Sequence, residues 1–395
     1  MSRAAEKRWL AIACGILSRP TATCLEHSPA NWVRDFAAQR KLPCEADRYG
    51  NLLVKYPGRG SKPKTPPIVL VAHLDHPGFV VSDVQGDRAQ LEFRGGVRRV
   101  HAKRGTKLEF FTVGRDKPIG QGELVSSSEK GARRAGMLGS AVARITSGRA
   151  AAGDFTMWAF PGYSERDGRI VSRCCDDLLG AAAALATLDE MVRERPRGAH
   201  VWGWFTRAEE VGLYGALAGI TGRTIPKDAR LLSLETSRAL PHAPQGGGVI
   251  VRVGDAMSLF DPPLMGALHS IAKELAAAEP TFRYQRRLMD GGSCEATAFC
   301  AAGRRAGGLA VPLGNYHNMA GLDGGAVGIG PETVAIPDYL SEVRLLVHLA
   351  SRSARLLELE SQTAEWIGPS TEKAREMLLA SPLDPPRRNR ARSRR

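Results

Sequence analysis

The run Ile68-Val69-Leu70-Val71-Ala72 restricts the fold more than any other stretch of this chain. Five apolar residues without polar alternation describe a strand covered on both faces, which calls for helices on either side of a sheet. The rest of the sequence supplies alternating elements. Helical spacing is read over 5–18, 30–41, 177–192, 262–278 and 293–302, with a long final helix from Pro337 to about residue 360. Strand-like runs occupy 52–56, 199–205, 231–234 and 308–312. The pattern predicts an α/β protein with three layers around a mostly parallel sheet.

Between about residues 83 and 155 the texture changes. Short alternating segments such as Ala89–Phe93 and Lys107–Val113 are separated by glycine-bearing turns, and no helical stripe is present. This predicts a small β-rich domain inserted into the α/β unit. Its Arg94, Arg98, Arg99, Lys103, Arg104 and Lys107 are read as a solvated basic face.

The formal net charge is +14, and six arginines fall among residues 387–395 after Pro385-Pro386. That segment reads as a flexible basic tail, able to make weak, non-specific contact with a polyanion. No apolar run is long enough to cross a bilayer, so no membrane role is expected. Arg3, Lys7 and Arg8 precede the apolar stretch from Trp9 to Leu17, but no small-residue cleavage site follows. An amphipathic first helix is therefore expected there. Seven cysteines without a C-x-x-C pair suggest neither a disulfide framework nor a zinc ribbon, and fit reduced thiols in a cytoplasm.

Five acidic or histidine-bearing clusters sit where expected strands give way to loops or helices: His73-Leu74-Asp75, Asp176-Asp177, Glu209-Glu210, Glu235 and His317. Ligands collect at the carboxyl ends of strands in α/β sheets. Two imidazoles and several carboxylates could hold a pair of divalent ions and leave one carboxylate free as a base. Each cluster also has a plainer reading. His73 could be a satisfied surface histidine, Asp176 or Asp177 a helix cap, and Glu209-Glu210 an acidic first helical turn. Cys174 and Cys175 are expected on a strand, as buried inert thiols. The chain carries no HExxH, G-x-S-x-G, Walker A or G-x-G-x-x-G signature to compete with this set.

Several stretches resemble the glutamyl/deblocking aminopeptidase family, co-catalytic metallopeptidases that include the tetrahedral aminopeptidases. They are Asp47–Leu53, Val71–Phe79 (VAHLDHPGF), Cys175–Gly180 (CDDLLG), Ala208–Ala216 (AEEVGLYGA), Gly291–Ala296 and Val311–His317. The resemblance spans roughly residues 25 to 350, and Ala208–Ala216 is its most specific element. It implies a zinc-peptidase-like catalytic domain formed by residues 1–82 and 156–362. Residues 83–155 would be an insert serving oligomerisation or substrate access, and 363–395 a C-terminal extension.

The resemblance further implies that Asp176 bridges two metal ions. His73 and Glu235 would complete one site, Glu210 and His317 the other. Glu209 would act as general base, with Asp75 orienting His73. Two divalent ions are implied, zinc with cobalt or manganese as alternatives, together with peptide substrates and homo-oligomeric assembly. The chain departs from the family at His76 (usually Glu), Leu178 (usually Arg), Glu235 (usually Asp) and Gly291–Glu295 (usually Gly-Gly-Thr-Asp). Related carboxypeptidases and deacylases use glutamate at the Glu235 position, so a metal-dependent carboxypeptidase or N-deacylase is the competing expectation. A non-catalytic binding descendant is a third.

Overall fold

The computed structural model describes residues 2–58, 65–222 and 224–381. The arginine tail lies outside these residues.

The central strand expected at 68–72 runs from Ile68 to His73 with all six residues buried. It pairs in parallel with Val201–Thr206 on one side and Arg230–Arg238 on the other, and the latter pairs in parallel with Ala306–Gly314. These four strands form the parallel heart of an eleven-stranded sheet. Antiparallel strands extend it beyond both ends: Leu52–Lys55 and Cys44–Ala46 outside Val201–Thr206, and Glu332–Ala335, Arg169–Ser172 and Ser164–Arg166 outside Ala306–Gly314. The sheet is thus mixed, with a parallel core. Strands Val249–Gly254 and Tyr284–Leu288, absent from the sequence-based expectation, branch from Ala306–Gly314.

Neighbouring residues of one strand show that both faces are covered. Beside Gly203 lie Leu188 of the helix Leu178–Glu194 and Phe205 of its own strand. Trp204 instead stacks on Phe299 of the helix Glu295–Ala301, at a ring-centroid distance of 5.6 Å. Successive strand residues point to opposite faces, so helices lie on both sides. The helix Leu178–Glu194 is buried along most of its length, and its many alanines allow close approach to the sheet. The first helix, Arg3–Leu17, is capped by Ser2 and packs Trp9 inward, where its Nε1 donates to Glu190 at 2.9 Å. The single final helix expected is two, Ile336–Ser351 and Ser353–Ala380, separated by Arg352 at φ −128° and ψ 43°. The second covers residues 363–380, read above as the start of an extension. No described helix is long and apolar enough to cross a membrane.

The β-rich insert is a closed antiparallel barrel of six strands: Gly78–Gln85, Arg88–Arg94, Ser140–Gly148, Gly120–Ser128, Lys107–Phe111 and Phe155–Trp158, in that order around it. It begins at Gly78, directly after Pro77, earlier than residue 83. Burial alternates along Arg88–Arg94, as a barrel wall requires. Phe79, Phe93, Phe110 and Trp158 fill the inside, and Phe79 lies edge-on to Phe93 and Trp158.

Candidate metal centre

The strand ends converge as the pattern of clusters implied. His73 closes its strand and lies level with Thr206 of the next. Ser233 pairs with Val71, and continuing that register by two residues brings Glu235 level with His73. Asp176 follows the strand Arg169–Ser172, and Asp177 caps the helix Leu178–Glu194 by accepting from the Gly180 amide at 3.2 Å. The two aspartates therefore divide the roles, one capping and one free to face the site. Glu209 and Glu210 lie in the turn after Val201–Thr206, and His317 lies beyond Ala306–Gly314.

Asp176 stands between the histidines. Its Oδ1 is 3.4 Å from His73 Nε2, and its Oδ2 is 3.5 Å from His317 Nε2. Glu210 Oε2 is 3.2 Å from His317 Nε2, and Glu209 Oε2 is 3.9 Å from His73 Nε2. Both Nδ1 atoms face carbonyl oxygens, Asp75 O for His73 at 3.1 Å and Gly96 O for His317 at 2.8 Å. A carbonyl only accepts, so each ring carries its proton on Nδ1 when neutral and presents an Nε2 lone pair to the centre.

Charge in this buried space is unbalanced. Among the described residues, the ion-pair partners of Asp176, Glu209 and Glu210 are His73 and His317, with no lysine or arginine. Burial opposes charging of His73, yet the neighbouring carboxylates of Asp176, Asp75 and Glu209 hold its pKa well above the ordinary value. His317 is raised likewise, against burial, by Glu210 and Asp176. Burial pushes Glu209 well above the usual carboxylate range, with Glu210, Glu235 and Asp75 adding to it against His73. Glu235 is pushed to about 8, first by burial. Such a site demands positive charge, as protons or as cations.

The residues fit divalent ions. His73, Asp176 and Glu235 offer ligand atoms within 4.8 Å of one another, and so do Asp176, Glu210 and His317. Asp176 Oδ1 and Glu210 Oε1 are buried without a hydrogen-bond partner. Donors around a tetrahedral zinc, each at about 2.0–2.2 Å, lie roughly 3.3–3.6 Å apart, close to the separations between Asp176 and the two histidines. His73, Glu209 and Glu210 make a third such group, but only the first two groups share Asp176.

Asp75 faces more than His73. Its Oδ1 is 3.6 Å from His73 Nδ1, farther than its own backbone carbonyl. The carboxylate instead accepts from the Glu209 amide at 2.9 Å, the Glu210 amide at 3.2 Å and the Thr23 hydroxyl at 2.9 Å. It grips the turn that carries the two glutamates. Cys174 and Cys175 lie in the segment after Ser172 rather than on a strand; both are fully buried, and burial raises their thiols.

Two further residues support Asp176. Glu332 Oε2 accepts from the Cys175 and Asp176 amides at 2.7 and 3.1 Å. His76 Nδ1 meets the Asp176 carbonyl at 2.5 Å, and its Nε2 meets Asn318 Oδ1 at 3.0 Å. In the sequence His76 stands out only as a departure from the family, because the strand is closed by His73. Its signal was adjacency to His73-Leu74-Asp75; Glu332 offered none beyond being an acid in a short apolar strand.

Residues 148–323 match the family model described as M42 glutamyl aminopeptidase. That segment includes Asp176, Glu209, Glu210, Glu235 and His317, and the match supports a peptidase hydrolase. No curated protein matches the sequence. Solved structures share the fold. An aminopeptidase from the archaeon Desulfurococcus kamchatkensis is similar with a TM-score of 0.72 at 19% identity, over 90% of this chain and 98% of that one. A TET aminopeptidase from a marine sediment Thaumarchaeota archaeon gives 0.70 at 18% identity, over 89% and 99%. The Pyrococcus horikoshii TET1 peptidase, which can assemble into a tetrahedron or a large octahedral shell, gives 0.66 at 18% identity, over 87% and 99%.

Proposed function

We propose that this chain is an M42-like aminopeptidase that removes N-terminal residues from peptides with two divalent metal ions and Glu209 as general base. The observation that carries the reading is the position of Asp176, with one carboxylate oxygen toward each histidine. Asp176, His73 and Glu235 would hold one ion, and Asp176, Glu210 and His317 the other. The nitrogen and oxygen donors suit zinc, and also cobalt or manganese. Bound there, the ions would supply Lewis-acid polarisation of a scissile carbonyl and acidification of water.

Glu209 stands outside both triads that share Asp176. Burial and neighbouring carboxylates raise its proton affinity, which suits a group that takes a proton from the attacking water and hands it to the leaving amine. Asp75 would position Glu209 and Glu210 together through their amides. Glu332 and His76 would fix the peptide on either side of the Asp176 side chain.

The same reading divides the chain into a catalytic α/β unit and the barrel, with the insert sharpened from 83–155 to the strands between Gly78 and Trp158. Assembly into homo-oligomers is proposed from the TET relatives, and a cytoplasmic setting from the unpaired cysteine pattern. Glu235 keeps a second reading in view, a metal-dependent carboxypeptidase or N-deacylase.

The test is metal analysis of purified protein alongside free-amino, N-acetylated and carboxypeptidase substrates. The expected result is two ions per chain and cleavage of free-amino peptides. Glu209→Gln should keep both ions and lose about 10²–10⁴-fold in turnover. Cleavage confined to N-acetylated substrates would move the assignment to a deacylase, and protein that binds no divalent ion would overturn it.

A further inference from the structure

The two halves of the candidate centre are held differently. His73 and Glu235 sit on neighbouring parallel strands of the sheet. His317 lies in a loop where Asn315, His317 and Asn318 all have positive φ, at 55°, 52° and 61°. Non-glycine residues persist in that region when surrounding contacts hold them. For His317, one such contact comes from the barrel: its Nδ1–H donates to the Gly96 carbonyl at 2.8 Å, across 221 residues of sequence.

The chain after His317 is also anchored on the barrel. Met319 is buried in the barrel core, and the Arg98 amide contacts its sulfur at 3.3 Å. Met319–Ala320 pairs with Gly328–Ile329, and His101 Nδ1 contacts the Gly328 carbonyl at 3.0 Å. The turn bearing Glu210 receives a barrel residue as well, because a Cβ built on Gly212 would lie 3.1 Å from Arg133 Nη2. Both ligand segments of the Glu210–His317 half thus meet the barrel.

We propose that the barrel is a structural part of the second metal subsite, and that Gly96 is its positioning residue. The Gly96 carbonyl holds the His317 proton on Nδ1 and the Nε2 lone pair toward Asp176. This assignment rests on the reading of these residues as metal ligands, and it predicts that the two subsites can be separated by a change in the barrel alone.

Gly96→Ala is the direct test. A Cβ there would meet His317 Nδ1 at 3.3 Å and Cε1 at 3.4 Å, so the imidazole must shift by a few tenths of an ångström. Gly96 does not share the positive φ of its neighbour Gly95 at +131°, so alanine adds no backbone strain. In metal-free protein, nitrogen-resolved NMR should show a protected His317 Nδ1–H signal, identified by its loss in His317→Gln, which Gly96→Ala shifts or removes. In zinc titrations, Gly96→Ala should leave the first equivalent unchanged and weaken the second by about 10–100-fold, the range for loss of a partner that orients a metal-binding histidine.

His101→Ala, which releases the segment after His317 without touching Gly96, should weaken the second equivalent in the same direction. It serves in place of Gly96→Ala if that variant does not fold. Two unchanged equivalents in the folded variant would overturn the proposal, as would equal weakening of both. Wild-type protein that binds no zinc would refute the metallopeptidase reading, while the NMR signal would still decide whether Gly96 holds His317.

Discussion

The sheet and the barrel bury their residues in different ways, and the difference explains where chemistry is found. Every residue of Ile68–His73 is buried, whereas Arg88–Arg94 alternates between inside and outside. The parallel strands lie beneath helices on both faces, so their polar residues collect where the strands end. The barrel closes on an interior filled by aromatic and aliphatic side chains. In the proposed centre it contributes position, through a backbone carbonyl and an anchored loop, while the sheet contributes the ligands at the strand ends.

The largest effect should come from the residue common to both halves. Asp176→Asn keeps the shape but removes the charge, and should abolish peptidase turnover and binding of both ions; retention of one full-affinity ion would break the shared-ligand picture. Next come truncations of the two cores. Leu70→Ala in the sheet should cost about 2–5 kcal/mol and Phe110→Ala in the barrel about 3–5 kcal/mol in chemical denaturation. The comparison is sharpened by metal counts on the folded fraction: the barrel change should weaken the second equivalent more than the sheet change does.

Asp75→Asn follows. It leaves only one good acceptor for two backbone amides and a hydroxyl, and should reduce metal affinity by about 10–100-fold with little change in helix content. An unchanged affinity would show that the turn at Glu209-Glu210 holds itself. The smallest effect is expected at the surface of the barrel. The side chains of Arg99 and Glu129 are 42% and 45% exposed and lie 3.3 Å apart, so Arg99→Ala should leave the midpoint of chemical denaturation nearly unchanged. A larger loss would mean that this turn supports the centre more than its exposure suggests.

Much of this was legible from local sequence. The buried central strand and the helix Pro262–Ala278 follow from periodicity and came out where expected, while the alternating insert follows from it with wider bounds, Gly78 to Trp158. Five clusters stood out where expected strands give way to loops or helices, the family resemblance picked seven residues from them, and the fold brings those seven together. Elements without a strong local pattern were missed or misjudged. Val249–Gly254 owes its pairing to Ala306–Gly314, Tyr284–Leu288 pairs in turn with Val249–Gly254, and Arg352 interrupts a helix whose composition gives no break. Asp75 was expected to orient His73, and its backbone carbonyl meets that ring; its hold on the Glu209 and Glu210 amides was not anticipated, since their approach depends on how two strands align.

What the sequence determined by itself was the inventory, two imidazoles and several carboxylates near expected strand ends, because side-chain type and strand periodicity are local properties. What the tertiary structure decided was how those groups are held. Glu332 beneath Asp176, His76 beside it and the Gly96 carbonyl on His317 are contacts across 156, 100 and 221 residues. A backbone carbonyl has no side-chain signature, and a buried acid acquires its role only when the fold sets a pair of amides in front of it.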